Sequence, residues 1–443
     1  MRALVAGGGL AGLVAAARLR ELGASVTLLE KGDAPGGSLI YSSGFVWSYR
    51  DLETHRREAP QGDAELQNLI LERLGEGLAW LEGVGAPVLA RETGNPLTFG
   101  ARFDPERTVA ALVDRLAATG GKLLTRAALR GLARDADGRV TGARVVAGGE
   151  EATHGADAVL LASGGFAANE ELVARHIVRG PGKMRLRAHP RSTGDGLLAA
   201  LEAGALPSKG FDEFYGRNLP APPADFSPEQ FVEVSQLYGR HAVALNRRGQ
   251  RYADEAADWS ETALTQSTAR QPGLRGFYVL DADGLKRRVR HRTVEEMVAT
   301  ARRVGGTVLV AESLGGLAEQ LAERGVPAAQ VRRTIEEYNR AVENGRGGEL
   351  SPPRSEPAAP VRRPPFVAVE IASTITHTIG GLAVDRQCRV LQRSDGRPLP
   401  GLYAAGVEVG GVSAGGYTSG LAAALVFGRV AATTAVKDAE TSD

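Results

Sequence analysis

The first thirty residues constrain the fold of this chain more than any other segment. Leu4 and Val5 open a short apolar strand, a helical apolar pattern follows, and a second apolar strand ends on Glu30. Three glycines lie between the first strand and the helix at G-x-G-x-x-G spacing: Gly7, Gly9 and Gly12. The first permits a tight turn, the second lets backbone approach a pyrophosphate, and the third lets helix and strand pack closely. The segment therefore predicts a β-α-β unit that binds a dinucleotide.

The acid at the end of the second strand supports the same interpretation. The carboxylate of Glu30 can accept hydrogen bonds from the two hydroxyls of a ribose. The free N–H groups at the start of the helix can face the phosphates. A purely structural β-α-β unit is the alternative. The motif does not distinguish FAD from NAD, so the rest of the chain has to identify the dinucleotide.

Composition argues against several other classes of function. With 443 residues and a net charge of +1, the chain is expected to form two domains and to bind neither nucleic acid nor an anionic membrane. No apolar run approaches the ~20 residues of a membrane span. The first strand leaves no room for a signal peptide, so we expect no membrane span and a cytoplasmic location. The one cysteine, Cys388, excludes an intrachain disulfide, and the seven histidines lack metal-ligand spacing, so no metal site is predicted.

Apolar periodicity predicts the elements that follow the first unit. Helical spacing covers residues 63–85 and 107–118, and short strands are predicted at Lys122–Leu129, Arg139–Val146 and Ala158–Ala162. These elements alternate with segments of glycine, serine and threonine, where bare backbone can lie against a large planar ligand. An ordinary flexible loop is the alternative for such a segment.

The later part of the chain changes character twice. Residues 206–365 are rich in aromatic side chains, with 11 of the chain's 23, and end in a proline-rich run, which is typical of a hinge or surface connection. Glycine-rich α/β character then returns, and an apolar helix begins at Gly420. The positive end of that helix suits an anion or the negative charge of a reduced flavin. Asp195, before an alanine-rich helix, could cap that helix or reach a ligand.

Taken in order, these segments resemble the flavoproteins of the fumarate reductase/succinate dehydrogenase group, which includes the 3-ketosteroid dehydrogenases. The matching segments cover nearly the whole chain: GGGLAG with Glu30, APGGS followed by SSG, VLLASGGF, TGDG, NRRGQRYADE, THTIGG, and GLYAAG with the glycine-rich run after it. The resemblance implies an α/β fold with a Rossmann-type, GR2-like FAD-binding domain at residues 1–205 and 366–443. An α+β capping domain at 206–365 would be inserted in it, and substrate would lie over the isoalloxazine ring where the domains meet.

The resemblance also implies where FAD is bound. Together with the glycines of the first motif, the expected contacts are Ala11, Glu30, Lys31, Gly37, Ser38, Ser43, Gly44, Ala128, Asp195, Gly406, Gly420, Leu421 and Ala422. Residue 38 is serine in place of the histidine that carries covalent flavin in succinate dehydrogenases, so FAD is expected to be non-covalent. The family's acid directly after GLYAAG is replaced by Val407, with Glu408 one position later.

The substrate-binding residues of the family are matched only in part. His377 corresponds to a histidine that helps to hold a substrate carboxylate in fumarate reductases. The arginine that clamps this carboxylate is replaced by Tyr417, and the proton-transferring arginine is missing from residues 258–260. Both differences predict the flavin chemistry of the family without its recognition of fumarate.

A tyrosine in this loop resembles the arrangement in ketosteroid-type dehydrogenases. Tyr417 would polarise a substrate carbonyl, with the N–H groups of its glycine loop assisting. A base would remove a proton while hydride passes between flavin N5 and the neighbouring carbon. The base is expected among Tyr215, Tyr238, Tyr278 and His377.

The predicted function is that of an FAD-dependent dehydrogenase or reductase. It would act on a CH–CH or C=C bond next to a carbonyl of a small organic or steroid-like substrate. No second NAD(P)-binding unit is recognised, so the electron donor or acceptor is expected to be external. The alternatives are a dicarboxylate reductase of the fumarate reductase type, a flavin oxidase or monooxygenase using O₂, and a flavin-binding protein with a structural or regulatory role.

Overall fold

The computed structural model describes residues 1–178 and 182–441, and the chain separates into two compact units. Unit 1 contains Met1–Ile177, Ala188–Phe214 and His377–Asp443, and unit 2 contains Val178–Arg187 and Tyr215–Thr376. The domain limits inferred from the sequence, and the capping role of residues 206–365, remain predictions.

Strands and helices alternate along most of the described chain. The strands are β1 (Arg2–Ala6), β2 (Ser25–Leu29), β3 (Phe45–Tyr49), β4 (Val88–Ala90), β5 (Thr98–Phe103), β6 (Lys122–Leu124), β7 (Ala127–Arg134), β8 (Val140–Ala147), β9 (Glu150–Gly155), β10 (Ala158–Leu161), β11 (Arg185–Leu186), β12 (Phe214–Pro220), β13 (Val243–Leu245), β14 (Arg275–Leu280), β15 (Arg288–Val289), β16 (Arg292–Thr293), β17 (Val308–Ala311), β18 (Phe366–Thr378), β19 (Arg389–Leu391) and β20 (Pro398–Ala404). The α-helices are α1 (Leu10–Glu21), α2 (Leu52–Glu58), α3 (Ala64–Gly83), α4 (Pro105–Ala118), α5 (Glu170–His176), α6 (Asp195–Glu202), α7 (Thr262–Ala269), α8 (Ala282–Leu285), α9 (Val294–Arg303), α10 (Leu314–Ala322), α11 (Ala328–Glu343) and α12 (Gly420–Glu440).

The centre of unit 1 is a six-stranded sheet with strand order β19-β20-β10-β1-β2-β6. Neighbouring strands run parallel except for the pair β19 and β20. Interior side chains such as Val5, Leu28 and Leu161 are completely buried, which is typical of parallel strands with both faces covered. Because α1 connects the parallel neighbours β1 and β2, the predicted β-α-β unit and the α/β fold class are confirmed.

Helices α1 and α12 of unit 1 cross at very short range. A Cβ added at Gly428 of α12 would lie 2.7 Å from the carbonyl oxygen of Ala11 in α1. A Cβ at Gly406, just after β20, would lie 2.8 Å from the Cβ of Ala11. Small residues at these positions therefore bring the C-terminal segment against the glycine turn at the start of the chain.

Most of the elements expected in the middle of the chain are confirmed, with one exception. Helices α3 and α4 lie within a few residues of the predicted spans 63–85 and 107–118. The prediction of a single strand at Lys122–Leu129 is wrong, because the structure divides this segment between β6 and β7. Arg126 has a φ of 53°, a left-handed conformation that a strand cannot continue through. The chain then leaves the parallel sheet and enters the antiparallel sheet β7-β8-β9.

Unit 2 is built on a mostly antiparallel sheet of order β11-β18-β14-β13, with β12 and β17 also paired to β18. One apolar core contains Met297 and Val298 of α9 together with Tyr238 and Tyr278. A second core contains residues of α10 and α11, including Leu317. Helices therefore cover the sheet through two separate cores.

Among the described residues, α12 is long and apolar enough to cross a membrane, by length and composition alone. Of its most apolar stretch, 61% is buried inside the structure, and buried core helices of similar composition meet the same criterion. This is weak evidence for a span. The absence of a membrane span remains a prediction from the sequence.

Candidate active site

The glycine turn between β1 and α1 has the geometry that its motif predicts. Gly7 has a φ of 112°, and a Cβ there would lie 2.3 Å from the carbonyl oxygen of Ala162. A Cβ at Gly12 would lie 1.8 Å from the carbonyl oxygen of Gly7. At Gly9 the nearest atom would be 3.9 Å away, on Gly37. Two glycines are therefore required by packing, while Gly9 has an open side on which a phosphate group can approach.

Glu30 is held beside this turn. One carboxylate oxygen accepts a hydrogen bond from the N–H of Gly8 (3.0 Å), and the other accepts one from the N–H of Gly32 (2.5 Å). A carboxylate has about four lone-pair sites, so the two bonds leave capacity for ribose hydroxyls. The N–H of Ala127 also donates to the carbonyl oxygen of Glu30 (2.9 Å), which places the adjacent Ala128 near this end of β2.

Lys31 forms a polar cluster with the start of α6. Its Nζ donates to Thr193 Oγ1 (2.6 Å) and to Asp195 Oδ2 (2.7 Å), and Thr193 Oγ1 donates to the other oxygen of Asp195 (2.7 Å). The residue preceding α6 is Gly194, and Asp195 is the first residue of the helix. Asp195 is therefore not the helix cap, and a ligand contact of the Lys31–Asp195 pair remains a prediction.

The small-residue loop after Glu30 returns to the glycine turn. The N–H of Gly36 donates to the carbonyl oxygen of Gly8 (2.8 Å), and Gly37 lies against Gly9. Further along the loop, Ser38 Oγ accepts a hydrogen bond from the N–H of His189 (3.1 Å). A Cβ at Gly44, next to Ser43, would lie 2.0 Å from the carbonyl oxygen of Phe103, so this glycine too is required by packing.

Glu408 is the residue whose environment the sequence did not indicate. Its side chain is fully buried, and its Oε2 accepts hydrogen bonds from Ser163 N (2.8 Å), Ser163 Oγ (2.7 Å) and Gly164 N (3.2 Å). Its Oε1 is buried without a hydrogen-bond partner among the described residues. Burial raises the pKa of this carboxyl. A buried oxygen without a partner, next to a glycine-rich strand end, fits a bound group that brings its own hydrogen-bond donor.

Tyr417 and His377 lie side by side in the structure. Their ring centroids are 5.9 Å apart, and Trp47 packs edge-on against Tyr417 with a centroid distance of 5.8 Å. A Cβ at Gly420 would lie 3.1 Å from His377 Nε2, so the first residue of α12 adjoins the same cluster. Leu421 and Ala422 follow in this first turn, where Ser419 Oγ accepts a bond from the N–H of Ala422 (3.3 Å).

His377 is a neutral side chain near pH 7. Burial lowers the pKa of its imidazole to about 4. Its Nδ1 lies 3.1 Å from the carbonyl oxygen of Thr378, which can only accept, so Nδ1 carries the proton and donates. A neutral imidazole in this tautomer can orient a polar ligand but cannot act as a cationic carboxylate clamp.

Residues far away in sequence support the loop of Tyr417. Tyr49 Oη donates to the carbonyl oxygen of Tyr417 (3.0 Å). The buried amide of Gln67 donates to the carbonyl oxygen of Val412 (3.1 Å). A Cβ at Gly416 would lie 1.8 Å from the carbonyl oxygen of Glu58, so the loop runs directly against the end of α2.

The remaining predicted bases belong to unit 2. Tyr238 is fully buried, donates to Gln236 Oε1 (2.8 Å) and packs against Tyr278, and burial raises its pKa well above the ordinary value of 10. This placement makes both tyrosines core residues and argues against a role for Tyr238 as a base. Tyr215 lies next to Arg217, whose guanidinium carbon is 4.9 Å from its ring centroid.

Glu261, also in unit 2, was missed by the sequence interpretation. It immediately precedes α7, has a φ of 57°, and is only 8% exposed. Burial raises the pKa of its carboxyl to about 7, against the opposing charge of Arg217. The Ser260-Glu261 pair before a helix is typical of an ordinary helix start, so nothing local indicated a buried acid.

Comparisons with known proteins show what this chain resembles. The protein family described as "FAD binding domain" matches residues 2–422. Probable fumarate reductase Ifc3 of Shewanella frigidimarina is 28% identical over 471 residues, covering 98% of this chain and 75% of the relative. NADH:acrylate oxidoreductase of Vibrio harveyi is 27% identical over 394 residues, covering 84% of this chain and 37% of the relative. The chain therefore spans little more than a third of that second protein.

A solved structure shows the same fold over nearly the full length of both chains. The 3-ketosteroid-Δ4-(5α)-dehydrogenase of Rhodococcus jostii RHA1, determined with 4-androstene-3,17-dione, superposes with a TM-score of 0.76 over 98% of this chain and 96% of that chain. The sequences are 23% identical, so the likeness shows the fold alone.

Proposed function

Because this chain belongs to the FAD-binding family and is an FAD-dependent oxidoreductase, we propose that it acts on a C–C single or double bond next to a carbonyl of a small organic or steroid-like substrate. When bound, FAD supplies the capacity to accept or return a hydride. An external electron donor or acceptor would complete the cycle, and the predicted FAD contacts would hold the cofactor without a covalent bond.

The pairing of Tyr417 with His377 at the start of α12 is the observation that supports this proposal most directly. In the proposed complex, Tyr417 Oη donates a hydrogen bond to the substrate carbonyl oxygen. The bond strengthens as negative charge develops on that oxygen, which lowers the barrier to removal of the neighbouring proton. His377 lines the same site as a neutral group whose Nε2 can only accept a hydrogen bond, and Trp47 packs edge-on against the phenol ring.

The base of this reaction remains to be assigned among the predicted residues. A pKa of about 4 makes His377 a weak proton acceptor near neutral pH. Tyr238 is held in the core of unit 2. The proposal therefore retains Tyr215 from the sequence-derived set, as a residue to be tested by substitution with phenylalanine.

The alternative is a dicarboxylate reductase of the fumarate reductase type. It is favoured by the 28% identity to a probable fumarate reductase over nearly the whole chain. Against it stand the tyrosine at position 417 and the neutral state of His377, because recognition of two carboxylates favours cationic, bidentate partners.

A substrate screen on the purified flavoprotein tests the proposal. The anaerobic oxidised protein is mixed with saturated ketones and 3-ketosteroids, and the reduced protein with enones, fumarate and acrylate, while the flavin absorbance is recorded. Carbonyl compounds that change the flavin within seconds, with no response to fumarate, would support the proposal. Rapid reoxidation by fumarate alone would replace it with the dicarboxylate reductase. Steady peroxide formation with a reducing substrate would indicate an oxidase.

A further inference from the structure

The residues proposed to bind substrate lie on two segments of unit 1: His377 is near the end of β18, and Tyr417 is in the loop before α12. The N–H of Gly411 donates to the carbonyl oxygen of Ile379 (2.8 Å), which ties the two segments together at that point. Tyr417 lies six residues further along, beyond the exposed Gly415, whose φ is 80°. Tyr49 Oη also holds the carbonyl oxygen of Tyr417 (3.0 Å). Because glycine is conformationally permissive, these bonds do not by themselves fix the backbone around Gly415.

Glu213 provides a second attachment close to both side chains. Its backbone carbonyl oxygen accepts a hydrogen bond from the N–H of Ile379 (3.1 Å), two residues after His377. Its side-chain Oε2 accepts a hydrogen bond from the N–H of Gly415 (2.7 Å), two residues before Tyr417. One residue thus binds the end of β18, next to His377, through its main chain and the loop of Tyr417 through its carboxylate.

The hydrogen bond from Gly415 to the Glu213 carboxylate is of a kind that can hold the loop of Tyr417 in one position. A hydrogen bond from a backbone N–H to a carboxylate is roughly twice as strong as one between neutral groups. From another direction, the N–H of Gln61 donates to the carbonyl oxygen of Ala414 (3.1 Å). The segment between Gly411 and Tyr417 is therefore held by consecutive residues, Ala414 and Gly415, just before the tyrosine.

We propose that Glu213 is a positioning residue that sets the separation between Tyr417 and His377 and thereby the rate of the reaction. The inference rests on the proposed function, because it places both side chains at the proposed substrate site. Displacement of a reacting group by about 1 Å can lower a rate by about 100-fold, so a loose tyrosine loop would slow the chemistry more than it weakens binding.

Two substitutions and a neighbouring control test this inference. Glu213→Ala removes the acceptor, whereas Glu213→Gln keeps a side-chain oxygen that can accept from Gly415. Asp212→Ala changes the exposed neighbouring acid. With a substrate found in the screen, we expect Glu213→Ala to lower kcat at least about tenfold with little change in KM, and Glu213→Gln to restore it to within about threefold. Asp212→Ala should behave as wild type.

The result that would overturn the inference is equally specific. Wild-type kcat in Glu213→Ala, or a Glu213→Gln variant as slow as the alanine variant, would show that this contact does not position the loop. FAD content and far-UV circular dichroism establish that each variant is folded. If the alanine variant fails to fold, Glu213→Asp replaces it, since its shorter side chain withdraws the carboxylate from Gly415.

Hydrogen exchange separates a failure of this inference from a failure of the proposed function. The exchange of the Gly415 amide is followed by mass spectrometry in all the variants, which requires no substrate. Faster exchange in Glu213→Ala, with protection regained in Glu213→Gln, supports the positioning contact even if no carbonyl compound reacts. Unchanged exchange in Glu213→Ala overturns it whatever the substrate.

Discussion

Replacing Glu261 by glutamine should stabilise the protein above neutral pH. Glu261 is 8% exposed, and its carboxyl has a pKa raised to about 7 by burial. The charges and phenols around it come from several elements: Arg217 on β12, Arg240 after Tyr238, Asp258 before α7, and Tyr278 on β14. Burial outweighs the attraction of the two arginines, so the charged form of Glu261 is disfavoured in the folded protein.

The size of the effect follows from the pKa change. A carboxyl whose pKa rises on folding contributes stability below its unfolded pKa and loses that stability as the pH rises through the folded value. For a rise from 4.5 to about 7, the loss is about 3 kcal/mol of unfolding free energy. Glutamine resembles the neutral acid at every pH. Glu261→Gln should therefore match wild type near pH 4.5 and exceed its stability by up to about 3 kcal/mol at pH 8.

Urea unfolding of the FAD-saturated protein, followed by tryptophan fluorescence at several pH values, measures this difference. A matched control is Glu255, which is also buried in unit 2 but is paired with Arg251 (2.6 Å) and Arg354 (3.1 Å). Glu255→Gln should destabilise the protein by about 3 kcal/mol or more at pH 8, because it leaves buried guanidinium groups without their anion. Equal pH dependence of wild type and Glu261→Gln, or loss of stability in both variants at pH 8, would refute the reasoning.

Other parts of unit 1 give predictions that separate cofactor binding from chemistry. Tyr417→Phe should keep FAD but slow flavin reduction in stopped-flow experiments by about 100-fold, and a loss below threefold would contradict the role of its hydroxyl. Gly12→Ala should give little folded protein, because its Cβ would lie 1.8 Å from the carbonyl oxygen of Gly7. Gly9→Ala has room for its Cβ and should fold but bind FAD weakly in equilibrium dialysis. His377 should stay neutral above pH 5 in an NMR titration because burial lowers its pKa to about 4, and a value near 6.5 would contradict this.

The elements that the sequence predicted are those whose signals are local. The β-α-β unit is defined by a glycine spacing and two apolar runs within thirty residues, and the structure reproduces it strand by strand. The broken strand at Arg126 shows the limit of such signals. Arg126 has a left-handed conformation but is neither glycine nor asparagine, so the sequence carries no turn signal there. The apolar pattern continues through it although the strand ends.

Burial of polar side chains could not be predicted in the same way. Glu408 and Glu261 are both glutamates in ordinary-looking surroundings, one after a strand and one before a helix. The groups around them come from other parts of the chain. Ser163 lies 245 positions from Glu408. Arg217 lies on β12, whereas Glu261 immediately precedes α7. Only the assembled fold brings these groups together, so the raised pKa values of the two carboxyls could not be predicted from the chain alone.

The same reasoning explains why Tyr417 could be chosen from sequence while its environment could not. A tyrosine in the place of an arginine is a local difference that a family pattern reveals. The groups that hold it, Tyr49, Gln67 and Glu213, come from segments about 200 to 370 residues earlier. Each contacts the backbone of the loop, and none carries a feature of its own that marks it as functional. Variation at these supporting positions should therefore alter the rate on a given substrate with the family's motifs intact, which makes them a better place than the motifs to look for differences in activity among related chains.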